Sequence, residues 1–196
     1  MPTVRLVAGL GNPGREHVAT RHNAGFWFAD ALAARLGVAF ASEPKFHGQV
    51  AKIAGDLRLL KPGTYMNLSG RSVAGVTRFF AIAAQELVVV HDELDLLPGE
   101  GKLKFGGGTA GHNGLRDIAA QLGTPDFWRL RIGIGHPRDS AIPQQDVADY
   151  VLAPPSRDER VAIEDAIDRG LDAWPAIAAG EFERAMVMLH TRKENP

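Results

Sequence analysis

LVAGLGNPGREHVATRHNAGF, residues 6–26, joins an apolar segment to a glycine-rich loop and a histidine-asparagine pair. Residues 4–8 are apolar and partly β-branched, which predicts a buried strand, and the glycines and proline of residues 9–14 end it. A helical pattern of apolar residues begins only at about Ala24. We therefore expect His22 in the loop between this strand and the first helix, where α/β proteins commonly carry functional groups.

Three glycines, Gly9, Gly11 and Gly14, match the spacing of the dinucleotide-binding fingerprint. That fingerprint needs a helix directly after the glycines and an acidic residue at the end of the next strand, near residue 34. Here Pro13 offers no N–H to a pyrophosphate, the helical pattern resumes about ten residues too late, and no such acidic residue follows. A nicotinamide-dependent oxidoreductase is therefore the weakest alternative, and failure to bind nicotinamide cofactors would exclude it.

The composition is that of an ordinary globular protein, with 196 residues, 45% hydrophobic and 23% charged. This length suffices for one sizeable core, so we expect a single domain over residues 1–196. The absence of cysteine excludes disulfides, thiolate metal sites and cysteine nucleophiles. No signal peptide and no membrane-length apolar segment is recognised, so we expect a cytoplasmic protein without membrane contact.

The formal net charge of −1 argues against a general coat for nucleic acids, and no DNA partner is expected. The charges are nevertheless unevenly distributed, since residues 100–138 carry six Lys or Arg against three acids and residues 157–172 show the opposite bias. A local basic face on a neutral protein suits a partner that is bound at one end and then released. The simplest alternative is that these charges form ordinary solvated surface.

Apolar periodicity predicts strands and helices in alternation along the chain. Further strands are predicted at residues 47–53, 57–61, 87–90, 103–105 and 128–135. The helix over residues 69–80 is expected to bury Val73, Val76, Phe79 and Phe80. Alternating strands and helices indicate an α/β fold: a single-domain α/β sandwich with a twisted, mostly parallel mixed sheet flanked by helices.

The polar residues at strand ends and helix starts suggest a hydrolase without a protein nucleophile. His22 lies in a loop, and Asp92 comes two residues after the end of the apolar strand predicted at residues 87–90. A histidine oriented by a carboxylate can take a proton from water, and the carboxylate stabilises the resulting imidazolium. Loop asparagines can donate hydrogen bonds to a carbonyl oxygen as it becomes an oxyanion. They are Asn12, Asn23, Asn67 and Asn113.

Each of these residues also has a simpler explanation. Asn67 is placed to cap the helix that follows it, Asn12 before Pro13 is a common turn residue, and residues 106–108 could form a flexible surface loop. No serine lies in a G-x-S-x-G turn, and no histidine has the spacing of a metal site, so neither an acyl-enzyme nor a metal is expected.

Six motifs in register closely resemble the bacterial-type peptidyl-tRNA hydrolase family over residues 4 to beyond 155. They are GLGNPG (9–14), TRHNAG (20–25), YMNLSG (65–70), HDELDLLPGE (91–100), GGGTAGHNGLRDI (106–118) and RLRIGIGHP (129–137). The resemblance implies a monomeric α/β enzyme without cofactor. Such an enzyme hydrolyses the ester between the C-terminus of a peptide and the 3′ ribose of tRNA, which recycles tRNA during translation.

Within this resemblance, His22 corresponds to the general base, Asp92 to the acid that orients it, and Asn12 to the residue that helps distinguish peptide-bearing esters. The resemblance also implies a set of residues that hold the peptidyl-tRNA. They are Tyr65, Met66, Asn67 and Asn113, together with Lys104 and Arg131, which the resemblance places at the 5′ phosphate of the tRNA. His17 stands where the family usually has tyrosine and is included as a binding residue.

Two alternatives stay open at this point. The first is a protein that binds tRNA or a nucleotide without cleaving it, and the second is an esterase or amidase for small soluble substrates. Loss of turnover without loss of binding on His22→Ala separates catalysis from binding. For the enzyme, a near-neutral pKa of His22 predicts that activity falls below about pH 6 as the base is protonated.

Overall fold

The computed structural model describes residues 3–190, in which seven strands form one sheet. The strands are β1 Leu6–Gly9, β2 Ala41–Glu43, β3 Gly48–Ala54, β4 Leu57–Pro62, β5 Leu87–Glu93, β6 Gly101–Phe105 and β7 Trp128–Gly133. Their order is β2-β3-β4-β1-β5-β7-β6. The central pairs β4–β1, β1–β5 and β5–β7 are parallel, and the outer pairs are antiparallel. The predicted mixed sheet is therefore confirmed, with parallel pairing at its centre and antiparallel pairing at both edges.

Helices cover both faces of this sheet. They are α1 Ala24–Leu36, α2 Ser69–Phe79, α3 Asn113–Leu122, α4 Val147–Val151, α5 Arg157–Asp172, α6 Trp174–Ala178 and α7 Phe182–His190. Short 3-10 helices at Arg21–Asn23 and Met66–Leu68 lead into α1 and α2. Among the described residues, no helix is long and apolar enough to cross a bilayer.

The continuous apolar run of β5 is explained by two cores, one on each face of the sheet. Val88 and Val90 belong to the core that contains residues of α1 and α5. Leu87 and Val89 belong to the core that contains residues of α2 and α3. Because side chains alternate between the faces of a strand, a strand covered on both sides must be apolar throughout.

The end of α2 departs from the sequence prediction. Val73 and Val76 are buried as expected, but Phe79 is 62% exposed. Phe79 lies six residues after Val73, which places it about 120° away around the helix. Its ring instead packs edge-on against Phe46, with the ring centroids 5.4 Å apart, and the Lys45 ammonium lies 4.2 Å from its centroid. The prediction that Phe79 is part of the inner face is therefore wrong.

The start of α1 packs directly against the backbone of the central strands. A Cβ on Gly25 would lie 2.4 Å from both the Leu10 nitrogen and the Val90 oxygen, so only glycine fits here. The Leu10 N–H donates to that Val90 carbonyl at 3.0 Å, and the Phe26 N–H donates to the Leu10 carbonyl at 3.1 Å. This close approach brings the residues before α1 beside the carboxyl end of β5.

Candidate active site

His22 and Asp92 meet at the carboxyl end of β5. The His22 Nδ1–H donates to Asp92 Oδ2 at 2.9 Å, and only 12% of the His22 side chain and 2% of the Asp92 side chain are exposed. With its proton on Nδ1, the neutral imidazole keeps a lone pair on Nε2. The pairing fixes both the ring orientation and the tautomer that a general base requires.

A second histidine, His112, shares the same carboxylate. The Leu115 N–H donates to His112 Nδ1 at 3.3 Å, so the imidazole proton is on Nε2, which donates to Asp92 Oδ1 at 2.9 Å. Asp92 thus accepts one hydrogen bond on each oxygen. His112 was not among the site residues predicted from the sequence, although its position next to Asn113 in the glycine-rich loop was the signal available.

The pKa values of this cluster shift in opposite directions. Burial by itself would lower the pKa of His22, but the charge and hydrogen bond of Asp92 outweigh burial and raise it. Burial would raise the pKa of Asp92, whereas the charges and hydrogen bonds of His22 and His112 lower it well below its usual range. Asp92 therefore stays ionised, and His22 is a stronger base than an ordinary histidine.

His91 shows that proximity to Asp92 is not sufficient to make a base. Burial, reinforced by His112, lowers the pKa of His91 to about 3, and its Nδ1–H donates to the backbone carbonyl of Asp92 at 2.8 Å. The His91 ring packs edge-on against His112 with centroids 5.0 Å apart. His91 is therefore a neutral packing residue that supports the His112 ring.

Asn12 is held in place by an exchange of hydrogen bonds with Asn23. The Asn12 N–H donates to Asn23 Oδ1 at 2.8 Å, and Asn23 Nδ2 donates to the Asn12 carbonyl at 3.0 Å. The Met66 N–H donates to the Asn12 side-chain oxygen at 2.7 Å. Because that oxygen is an acceptor for Met66, the Asn12 amide nitrogen is the group left to donate to a substrate. Asn23, at the N-cap position of α1, makes no side-chain cap bond there.

The pocket around these groups has a volume of about 540 Å³, and we call it the catalytic pocket. Its lining contains Asn12, His22, Tyr65, Met66, Asn67, Asp92, His112 and Asn113. Val147 and Val151 of α4 line it as well. Asn67 lies in the 3-10 helix Met66–Leu68. The N-cap residue of α2 is Leu68, so Asn67 does not cap α2.

Lys104 and Arg131 lie outside this pocket, in a neighbouring groove of about 300 Å³ that we call the basic groove. Lys104 of β6 is exposed, whereas Arg131 Nε donates to Glu93 Oε1 at 2.6 Å. The groove shares Glu93 and Ala110 with the catalytic pocket. The two predicted phosphate ligands therefore line one groove, which adjoins the catalytic pocket but does not contain His22 or Asp92.

Arg129, on the same face of β7 as Arg131, has a different role. Its side chain is buried and donates to the carbonyls of Gly107 at 2.9 Å, Gly108 at 2.5 Å and Pro125 at 3.2 Å. The glycine-rich loop is thus fixed by a guanidinium, contrary to its interpretation as a flexible surface loop. That anchor holds the segment that carries His112.

His17 is not brought to the catalytic pocket or to the basic groove, since it is absent from the lining of both. It lies in the 3-10 helix Arg15–His17, with Nε2 3.7 Å from Glu16 Oε1. The predicted binding role of His17 therefore has no geometric support among the described residues, and it stays a prediction.

The ligand atoms of His22, Asp92 and His112 lie within 4.8 Å of one another, which is close enough for a metal ion. Both imidazole nitrogens that face Asp92 carry the proton of a hydrogen bond to it. A metal would need these nitrogens deprotonated and both hydrogen bonds broken. These three side chains are therefore arranged as a hydrogen-bonded cluster around one carboxylate.

The chain is similar to known proteins over nearly its whole length. The profile of the family described as "Peptidyl-tRNA hydrolase" matches residues 6–196. A peptidyl-tRNA hydrolase of Polynucleobacter necessarius is 55% identical over 193 residues, which cover 96% of this chain and 98% of that protein. One of Bordetella petrii is 57% identical over 191 residues, which cover 96% of this chain and 90% of that protein.

The crystal structure of peptidyl-tRNA hydrolase from Acinetobacter baumannii is similar throughout. It superimposes with a TM-score of 0.90 at 44% sequence identity and covers 97% of this chain and 96% of that chain. Residues 6–196, which the family profile matches, include the six motifs together with His22 and Asp92. The chain belongs to the peptidyl-tRNA hydrolase family, and it is a hydrolase of peptidyl-tRNA that serves translation.

Proposed function

We propose that His22 is the general base of this hydrolysis and that Asp92 orients it. The observation that carries the proposal is the 2.9 Å bond from His22 Nδ1 to Asp92 Oδ2, which leaves Nε2 unprotonated at the catalytic pocket. His112 fixes the second oxygen of the same carboxylate and is a positioning residue. No protein nucleophile is required, because water is the attacking group.

The proton and electron pairs can be followed through the reaction. The water oxygen attacks the ester carbonyl while its proton moves to His22 Nε2, and Asp92 stabilises the imidazolium. The tetrahedral intermediate then collapses, the bond to the 3′ oxygen of the ribose breaks, and that oxygen takes the proton from His22. The products are a peptide with a free carboxyl group and a tRNA with a free 3′ hydroxyl.

Asn12 supplies the hydrogen-bond donor for the carbonyl oxygen in this scheme. Its amide nitrogen is left to donate because Met66 occupies the side-chain oxygen, and Asn23 fixes its backbone. A rigid donor is more effective for an oxyanion than a mobile one, since no reorganisation is needed during the reaction. Asn67 and Asn113, both exposed at the pocket, position the substrate and the attacking water.

Recognition of tRNA is assigned to the basic groove. Lys104 and Arg131 bind the 5′ phosphate there, and charge-assisted bonds of this kind distinguish tRNA from other peptide esters. Arg131 is already paired with Glu93, so a phosphate would share or replace that partner. Tyr65, 61% exposed at the rim of the catalytic pocket, contacts the acceptor end.

The decisive experiment measures release of tRNA from N-acetylaminoacyl-tRNA, beside the unblocked aminoacyl-tRNA and in the presence of a metal chelator. Cleavage of the blocked ester alone, unaffected by chelator and abolished in His22→Ala, is the expected result. Binding of the blocked substrate without cleavage by the wild-type protein would favour a tRNA-binding protein. Equal cleavage of a small soluble ester would favour a general esterase.

A further inference from the structure

Glu93 is a buried acid that has no part in the proposed chemistry. It directly follows Asp92 at the end of β5, and 11% of its side chain is exposed. Its Oε1 accepts a hydrogen bond from Arg131 Nε at 2.6 Å. Glu93 lines the catalytic pocket as well as the basic groove. A carboxylate therefore lies beside a proposed phosphate ligand, where its charge repels an anion.

The register of the sheet gives the two adjacent acids of β5 different partners. His91 of β5 is the register partner of Arg131 of β7. Because side chains two residues apart share a face of a strand, Glu93 lies on the same face as His91 and Arg131, and Asp92 points to the other face. Asp92 accordingly accepts from two histidines, whereas Glu93 accepts from Arg131. By its contacts, Glu93 belongs to the basic groove.

The bond to Glu93 uses only the Nε–H of the Arg131 guanidinium. Within residues 3–190, neither terminal amino group of Arg131 donates to another residue, and 20% of its side chain is accessible. A guanidinium is planar, so a carboxylate held at Nε fixes the plane and leaves the terminal amino groups free to donate to an anion. A phosphate can thus bind Arg131 while Glu93 stays in place.

Three cations and two acids line the basic groove. They are Lys104, Arg129 and Arg131 against Glu93 and Asp95. Burial lowers the pKa of Arg129, the charge of Glu93 raises it, and the charge of Arg131 lowers it further. The Glu93 charge therefore acts on both arginines and lowers the positive potential that an incoming phosphate meets. Because this carboxylate is buried, salt screens it only weakly.

The 5′ phosphate is the same in the substrate and in the tRNA that is released. Any bond that it makes in the groove therefore holds the uncleaved ester and the product alike. Such uniform binding lowers KM without accelerating the chemical step. A groove that bound the phosphate too strongly would slow the release of tRNA, which limits turnover in many enzymes. Selection of tRNA by its phosphate thus calls for a contact of limited strength.

We propose that Glu93 is a specificity-determining residue that sets the affinity of the basic groove for the 5′ phosphate. The inference rests on the proposed function, because it takes that phosphate to bind Lys104 and Arg131. The Glu93 carboxylate orients the Arg131 guanidinium and offsets part of its charge. The phosphate is then recognised, but the product tRNA is released.

The test measures binding of uncharged tRNA to the protein by fluorescence anisotropy, so it needs no catalysis. The same tRNA is used with its 5′ phosphate and after dephosphorylation, and the measured quantity is the ratio of the Kd of the 5′-hydroxyl form to that of the 5′-phosphate form. Glu93→Gln keeps an oxygen for the Arg131 Nε–H and removes the charge. Asp95→Asn is the matched control, since it removes an exposed carboxyl from the same groove.

Thermal unfolding of each variant verifies that it is folded. Glu93→Met, which also removes the charge at similar side-chain length, decides the test if Glu93→Gln does not fold.

We expect the ratio to exceed one in the wild type and to rise about tenfold in Glu93→Gln, which corresponds to about 1.4 kcal/mol of added phosphate binding. In Asp95→Asn it should change by about twofold or less, because an exposed charge is strongly screened. An unchanged or lower ratio in Glu93→Gln would overturn the proposal. An equal rise in Asp95→Asn would also overturn it, because the net charge of the groove would then set the affinity. Equal binding of both tRNA forms by the wild type would instead refute the phosphate site of the proposed function.

Discussion

The catalytic pocket and the basic groove lie side by side at one sheet edge but use charge in opposite ways. In the pocket, the Asp92 side chain is 2% exposed and each of its oxygens accepts a histidine N–H at 2.9 Å. In the groove, Lys104 is exposed and Arg131 has 20% of its side chain accessible. Buried charge is barely screened by salt, whereas exposed charge is strongly screened. The pocket should therefore control turnover and its pH dependence, and the groove should control capture of the substrate and its salt dependence.

The largest effect is expected from His22→Ala, which removes the proposed base and leaves the basic groove intact. Turnover of N-acetylaminoacyl-tRNA should fall about 100- to 10,000-fold, the usual contribution of general base catalysis. Binding of the substrate, measured by filter retention, should change little. The matched control is His190→Ala, an exposed histidine at the end of α7. If substrate binding fell by the same factor as turnover, the catalytic pocket and the basic groove would not have separate roles.

Asp92→Asn is expected to lower turnover on the order of a hundredfold near neutral pH. His22 and His112 both donate to this side chain, and a carboxamide offers only one acceptor oxygen, so one imidazole must change its tautomer. The carboxylate raises the pKa of His22 and activity needs the neutral ring, so the acid limb of kcat against pH should move to lower pH in the variant. Asp126→Asn, an exposed carboxyl, is the control. If the acid limb of the variant lies at the same pH as that of the wild type, Asp92 is not the cause of the raised pKa of His22.

For the wild-type enzyme, the Asp92 carboxylate makes the predicted loss of activity on protonation of His22 more specific. Since the pKa of His22 is raised, the loss of activity on acidification should begin at a higher pH than for an ordinary histidine. A flat profile of kcat on acidification would contradict the assignment of His22 as the base.

Arg129→Met tests the contact between β7, which lines the basic groove, and the glycine-rich loop that carries His112 to the catalytic pocket. It leaves the carbonyls of Gly107, Gly108 and Pro125 without their buried donor, so the free energy of unfolding should fall by about 2 kcal/mol. Turnover should fall about tenfold, because the glycine-rich loop no longer holds His112 firmly against Asp92. Arg116→Met, exposed on α3, serves as the control in urea unfolding. Equal midpoints for both variants would show that the loop does not depend on this anchor.

Lys104→Ala should have the smallest effect. We expect kcat/KM to fall about threefold at low salt, mostly through KM, and the slope of log kcat/KM against log salt concentration to become shallower by about one. Lys52→Ala removes an exposed lysine of β3 and should leave the slope unchanged. A salt dependence identical to that of the wild type would argue that Lys104 does not contact phosphate. Arg131→Ala is a less specific test of phosphate binding, because it also removes the ion-pair partner of Glu93.

Sequence reasoning predicted the described strands of the sheet apart from β2, and it predicted the fine structure of the site only in part. The alternation of strands and helices indicated an α/β fold, and the apolar run of residues 87–90 indicated the strand that became β5. Phe79 was assigned to the wrong face, because it lies six residues after Val73 and therefore about 120° from it around α2. The monomeric state and cytoplasmic location, like the binding role of His17, stay predictions.

The sequence by itself determined which groups are available for chemistry. His22 after a strand and loop, Asp92 at the end of an apolar strand, and asparagines at loop positions are visible from local pattern, and the six motifs identify the family. Local pattern is sufficient here because strand ends, loops and helix starts depend on neighbours along the chain.

Only the tertiary structure decided how those groups are paired. His22 lies 70 positions from Asp92, and His112 lies 20 positions from it, yet both bond to the same carboxylate. The choice of acceptor for each histidine, the packing role of His91 and the anchoring by Arg129 depend on distances of a few ångströms between strands that are far apart in sequence. Periodicity carries no such distances, because they are set when the sheet brings the strand ends together and excludes water from the groups between them.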